Sequence, residues 1–223
     1  MASSNVLRWL DGRGWLVLSG GGGQTGAVRA QALGRAAADG GVAYVSLGNH
    51  DGWSERALAD MDGLGAPPGY IVDALTEDDR TLTALLAEAG IVVIEDGPDA
   101  AVLRSGLMGA AAAGIQTAFE NGAVILAEGL SAMVFGAWVV NADGEIFSGL
   151  GWFENALVLP GIASVAQSAP SQKVLREYPA AIAVGIGIGS ALALGPDGEV
   201  EAWGGRQVTV ALGSAYGSAK GGE

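Results

Sequence analysis

The chain has 223 residues, half of them hydrophobic and only 16% charged, enough for one sizeable core and far from the composition of a disordered segment. Twenty-four acidic residues against eleven basic ones give a net charge of -13, a field that repels nucleic-acid phosphates and anionic membranes and favours a cationic ligand. With no cysteine and a single histidine, disulfides, thiolate nucleophiles and cysteine-based or histidine-rich metal centres are excluded, and neither metal nor cofactor is expected.

Residues 1–11 include Arg8 and Asp11 and lack the apolar run of a signal peptide, which implies a cytoplasmic chain. Residues 1–13 are read as an N-terminal segment preceding one α/β domain over residues 14–212. Residues 15–19 (WLVLS) form a short apolar strand that runs into four glycines at 20–23, followed by helical composition at 27–38. The unit repeats with a strand at 42–47, a turn at 48–52 and a helix from Ser54 to Met61. A short strand at 70–72 precedes a helix for which Thr76 and Asp79 resemble a capping box and Leu82, Leu85 and Leu86 an apolar face. Residues 91–94 (IVVI) read as a strand covered on both faces, residues 100–119 as one helix containing Gly106, Gly109 and Gly114, and residues 123–127 as the next strand. This alternation predicts right-handed crossovers and a three-layer fold, a mostly parallel central sheet flanked by helices.

The last third reads differently. Short strands are expected at 156–159, 182–188, 191–194, 199–203 and 207–212, with a helix at 171–178 and a turn at Pro196-Asp197-Gly198. Without a polar linker before them, these strands are expected to form an antiparallel C-terminal extension of the same sheet. Residues 213–223 are expected to be a flexible tail. The apolar stretches at 122–127 and 180–194 are glycine- and alanine-rich and too short to span a bilayer.

Candidate site residues gather where strands give way to helices, the ligand-binding end of open α/β sheets. Gly21 and Gly22 lie in a strand–glycine–helix turn suited either to close backbone approach or to a small ligand; as a dinucleotide fingerprint the run lacks an acid after the second strand. His50 is followed by Asp51 in the next turn, where it is exposed, a ligand contact or a base. Glu95, Asp96 and Asp99 form an acidic group that is either a solvated loop or a cation pocket. Trp138, Trp152 and Phe153 either wall the same end or pack in the core. Gly129, Leu130 and Ser131 follow a buried strand in the context of a nucleophile elbow, although a serine there needs a base to take its proton.

In this order, the segments WLVLSGGGG (15–23), GIVVIEDGPD (90–99), GAVILAEGLSAMVFG (122–136), GLGWFENALVLP (149–160) and AVGIGIGSALAL (183–194) resemble the cyanophycinase and dipeptidase E family of serine peptidases, whose fold is similar to class I glutamine amidotransferases. The resemblance implies a Gly-Thr-Ser-Ala-Gly-Ala elbow. A gapless reading puts Glu128 on its threonine, Gly129 on its serine and Ser131 two positions late. It puts Glu95-Asp96 on an oxyanion-hole glycine pair, Gly161 or Ile162 on the histidine and Ile188 near the acid. The resulting expectation is a noncatalytic, peptidase-like binding or assembly protein, with a peptide, amino-acid or cationic small-molecule ligand at the strand ends. The alternative is a serine hydrolase using Ser131 with His50. Self-association, most simply as a dimer, is expected from an apolar chain with two lysines.

Overall fold

The computed structural model describes residues 6–23, 25–36, 40–48, 52–97 and 99–216. Five short, almost wholly apolar strands pair in parallel: β1 (Trp15–Ser19), β2 (Val42–Ser46), β3 (Gly69–Asp73), β4 (Ile91–Ile94) and β5 (Val124–Glu128), in the spatial order β3-β2-β4-β5-β1. Their connections are α1 (Gly26–Arg35), α2 (Trp53–Gly63), α3 (Asp79–Ala87), and the pair α4 (Ala100–Leu107) and α5 (Ala110–Glu120).

Side-chain alternation along each strand creates two cores. Val17, Tyr44, Val93 and Leu126 point toward Val28 and Ala32 of α1 and Ala57 and Met61 of α2. Leu16, Leu18, Ile94 and Ile125 face the other way, toward Leu82 and Leu86 of α3 and Ile115 and Phe119 of α5. This is the expected helix-flanked, mostly parallel arrangement. β10 (Ser190–Leu194) adds antiparallel to β1 and β11 (Val200–Gly204) adds antiparallel to β10, supplying the C-terminal extension.

The expectation of a single sheet needs correction. A short helix, α6 (Leu130–Val134), leads into a second sheet built from β6 (Gly136–Val140), β7 (Ile146–Ser148), β8 (Phe153–Pro160), β9 (Ile182–Ile186) and β12 (Val208–Leu212), in the order β12-β9-β8-β6-β7. α7 (Ala169–Glu177) connects β8 to β9 and buries Val174 against the far face of this sheet. The near face, with Val158, Ile182 and Val184, joins the core of the first sheet. An apolar strand carries no mark of which sheet it joins, since pairing partners are chosen by long-range packing.

Two helix boundaries also differ. The helix expected over 100–119 is broken at Gly109, whose φ of 69° and ψ of -124° lie outside the helical region. The cap of α3 is Asp78, not Thr76; its carboxylate accepts from the backbone N–H groups of Arg80 and Thr81, both at 3.1 Å. At the N-terminus, Trp9 bridges antiparallel to Phe153 and its indole N–H donates to the carbonyl of Gly195 at 3.2 Å, so residues 8–10 strap the two sheets together. Of the expected tail, residues 214–216 form a 3-10 turn and residues 217–223 lie outside the described residues. Among the described residues no helix is long and apolar enough to cross a membrane.

Candidate functional site

At the carboxyl ends of β1, β5 and β4, three backbone segments come within van der Waals distance. The amide of Gly129 donates to the carbonyl of Ser19 at 3.2 Å, and that of Gly21 to the hydroxyl of Ser19 at 3.2 Å. Gly21 has φ 70°, and a Cβ there would stand 3.0 Å from the Cα of Gly129. Glycine is needed at 21 for both its left-handed backbone and this approach. Its carbonyl in turn accepts from Gly189 at 3.0 Å, and Gly22 lies beneath Ile188, which is 62% exposed.

The turn from β5 into α6 is made by Gly129, with φ 61° and ψ -132°. A Cβ on Gly129 would overlap the Asp96 carboxylate. Asp96 Oδ1 accepts the amide of Leu130 at 2.7 Å and that of Gly97 at 2.9 Å. A strand-to-helix elbow uses its vertex side chain as nucleophile and the next backbone N–H to hold an oxyanion. Here one carboxylate fills the vertex volume and accepts from that N–H group. Ser131 sits a half-turn further on, fully buried, with its hydroxyl 2.8 Å from the carbonyl of Glu128 and 3.2 Å from that of Ile94. It is turned into the protein, bonded back along its own helix. His50 and Asp51 lie outside the described residues.

Beside this turn is a cavity of about 540 Å³ whose lining includes Gly21, Gly22, Trp53, Arg56, Asp60 and Asp96. Its floor is an ion cluster. Arg29, on the buried face of α1 with Val28 and Ala32, makes a two-point contact with Glu128, Nε to Oε1 at 2.9 Å and Nη2 to Oε2 at 2.8 Å. Its remaining Nη1 reaches Asp60 at 3.0 Å, and its guanidinium lies 5.6 Å from the centroid of the Trp53 ring. Burial pulls the Arg29 pKa down, but the hydrogen bonds and charge of Glu128 outweigh it and raise it overall, so the guanidinium stays charged. Tyr44, on β2, is pushed upward by burial and keeps its proton; its buried hydroxyl has no hydrogen-bond partner among the described residues.

The three acids read as either a solvated loop or a cation pocket do three different things. Glu95 is buried and ties β4 to β2 and α2: Oε1 accepts the amide of Leu47 at 2.6 Å and Oε2 the hydroxyl of Ser54 at 3.1 Å. Asp99 caps α4, accepting from Ala101 at 2.8 Å and Val102 at 3.0 Å. Only Asp96 of the three lines the cavity. Trp152 packs between Phe119 and Phe135 at ring distances of 5.6 and 5.2 Å, and Phe153 is fully buried beside them, so both belong to the core. Trp138 stacks on Tyr178 at 4.7 Å. Among the described residues no cluster of His, Asp or Glu is arranged to hold a metal ion.

Arg29, Trp53, Asp60 and the ionic role of Glu128 are not among the site residues expected from the sequence. Two signals were present. Arg29 shares a helical face with Ala32, where a charge is costly unless paired, and Glu128 ends an otherwise apolar buried strand. Their pairing across 99 residues of sequence is a product of the fold.

No protein-family model and no curated protein sequence matches the chain. Solved structures do. A peptidase from an acI-B1 Actinobacterium superposes with a TM-score of 0.71 at 18% identity, over 91% of this chain and 96% of that one. A Listeria monocytogenes EGD-e protein provisionally assigned as a peptidase E gives 0.64 at 15% identity, over 85% of this chain and 97% of that one. At such identities the likeness is one of architecture, and the chain has the fold of the peptidase E-like proteins.

Proposed function

We propose that this chain is a noncatalytic protein of peptidase-like fold that binds a small cationic or zwitterionic ligand, a peptide or amino acid, in the cavity beside Gly129. The observation that carries the reading is Asp96, whose carboxylate occupies the elbow volume and accepts the Leu130 amide at 2.7 Å. A serine peptidase built on such an elbow needs a nucleophile at the vertex and an empty anion hole next to it; a carboxylate in that hole repels a developing oxyanion. Ser131 does not substitute for the missing nucleophile, because its hydroxyl is buried and directed at backbone carbonyls.

The same carboxylate supports binding. With Oδ1 engaged by two amides, Oδ2 is the oxygen nearer Gly21 at the cavity wall. Arg29 is held by Glu128 and Asp60, so the lining presents three carboxylates to two guanidinium groups and favours an amine or guanidine, with Trp53 as an aromatic surface beside it.

Isothermal calorimetry with matched cationic, neutral and anionic peptides tests this. Cationic peptides should bind best, the preference should weaken with salt, and D96N should remove it. Equal affinities across the set, or no binding, would sink the recognition reading. Turnover of β-aspartyl or arginine-rich peptides that is lost in S131A would sink the noncatalytic one.

A further inference from the structure

We infer that β12 is the self-association surface of this protein, pairing antiparallel with β12 of a second copy about a twofold axis at Val210. The two sheets end in four edge strands, β3, β11, β7 and β12. Exposed strand edges invite pairing, and proteins commonly blunt them with charge, proline or shortness. β3 is preceded by Pro67 and Pro68 and ends in Asp73. β7 has three residues. β11 carries Glu201, held at 2.6 Å by Arg35 of α1. β12, Val-Thr-Val-Ala-Leu, has none of these devices.

The register states which groups face outward. Gly187 donates to the carbonyl of Gln207 at 2.8 Å and Gly213 donates to that of Ala181 at 2.9 Å. By antiparallel alternation, Thr209 and Ala211 bond to β9, leaving Val208, Val210 and Leu212 to present backbone groups to the open side. Val208 N–H makes a local bond to the carbonyl of Arg206 at 3.2 Å, while among the described residues no hydrogen bond engages the amides of Val210 and Leu212 across that edge. Val210 and Leu212 are each 48% exposed.

A second copy of this strand is its own complement. Rotation about Val210 sets Val210 opposite Val210 and Val208 opposite Leu212, joins the two five-stranded sheets into one, and covers the exposed valine and leucine of both copies. Because β12 is uncharged, two copies of net charge -13 meet there without like charges facing one another across the new ladder. Association should therefore strengthen as salt is raised, the reverse of binding a cationic ligand.

The test uses the full chain. In a sedimentation series the wild type should move from 22.2 kDa to twice that mass with concentration. Val210→Lys places like charges face to face and should weaken the dimer at least about tenfold, with circular dichroism unchanged at this exposed position. An equimolar mixture of V210K and V210E should dimerise where each alone is weakened. The chain has no cysteine, so V210C should crosslink to itself under mild oxidation, the opposed Cα atoms being about 5.5 Å apart, and V200C on β11 should not. A wild type that stays at 22.2 kDa, or a dimer indifferent to V210K and uncrosslinked by V210C, overturns the inference.

Discussion

The Asp96 carboxylate lies against the Cα of Gly129, so that these two positions, 33 residues apart just beyond the ends of neighbouring strands, share one volume. Either can carry a side chain, but not both. Gly129→Ser should therefore be destabilising by roughly 2–4 kcal/mol, from its left-handed φ of 61° and its collision with Asp96. Shortening the neighbour at the same time, as in D96G/G129S, should recover part of the loss. Urea unfolding of the two single variants and the double one gives the coupling; strictly additive effects would mean that the volumes are independent.

Arg29 and Glu128 form a buried pair, 3% and 1% exposed. Arg29→Met leaves Glu128 as an uncompensated buried charge and should cost roughly 3–5 kcal/mol. R29M/E128M should be considerably more stable than R29M alone, because the desolvated charge goes with its partner. Thermal melts of the three variants test this, and a double variant no better than R29M would place the stabilisation elsewhere.

Ser131 is predicted to be structural. S131A should cost about 1 kcal/mol, the net value of a buried hydroxyl hydrogen bond, and a fluorophosphonate probe should leave the residue unlabelled in the folded protein. Mass spectrometry of the probe-treated chain reads the outcome directly; stoichiometric adduct on Ser131 would contradict its inward orientation.

The pH response of α3 follows from its cap. The hydroxyl of Thr81, with its amide and that of Arg80, holds the Asp78 carboxyl below the usual range, because these donors favour the charged form. A lowered folded-state pKa means that the cap stabilises the native state above the unfolded value and that this contribution fades as pH falls through the folded one. Carboxyl-detected NMR should find Asp78 titrating below an aspartate in an unstructured peptide. The stability gap between wild type and D78A should close on acidification; a gap that persisted at low pH would mean that the cap acts without its charge.

What could be read from the sequence was whatever depends on a short stretch of chain. Residues 15–19 and 91–94 are apolar runs bounded by glycine or acid, and they are strands with those limits. An elbow within residues 129–131 was legible because a strand end, a glycine and a helical run are all local, whereas the placing of Gly129 rather than Ser131 at its vertex came from the family resemblance. The break at Gly109 was not, since a glycine in a helical pattern is compatible with both continuing and stopping, and only packing of α5 against α3 selects the turn. The second sheet escaped notice for a related reason: Gly136–Val140 follows directly on α6, and its partners β7 and β8 lie ahead in the chain. The acids at 95, 96 and 99 are neighbours in sequence, yet a strand end, a cavity wall and a helix cap orient them to different tasks.

The strap at Trp9 has a consequence for how the protein is made. Its indole acceptor, the carbonyl of Gly195, lies 186 residues downstream, and its bridge partner Phe153 is also in the later half of the chain. A ribosome delivers residues in order, so the N-terminal segment emerges early and waits, undocked, while most of the domain is synthesised. Trp9 leaves the ribosome ahead of both its partners and is fastened only after they follow. On chains stalled before Gly195 a protease should cut readily near Trp9, and on the released full-length protein it should not.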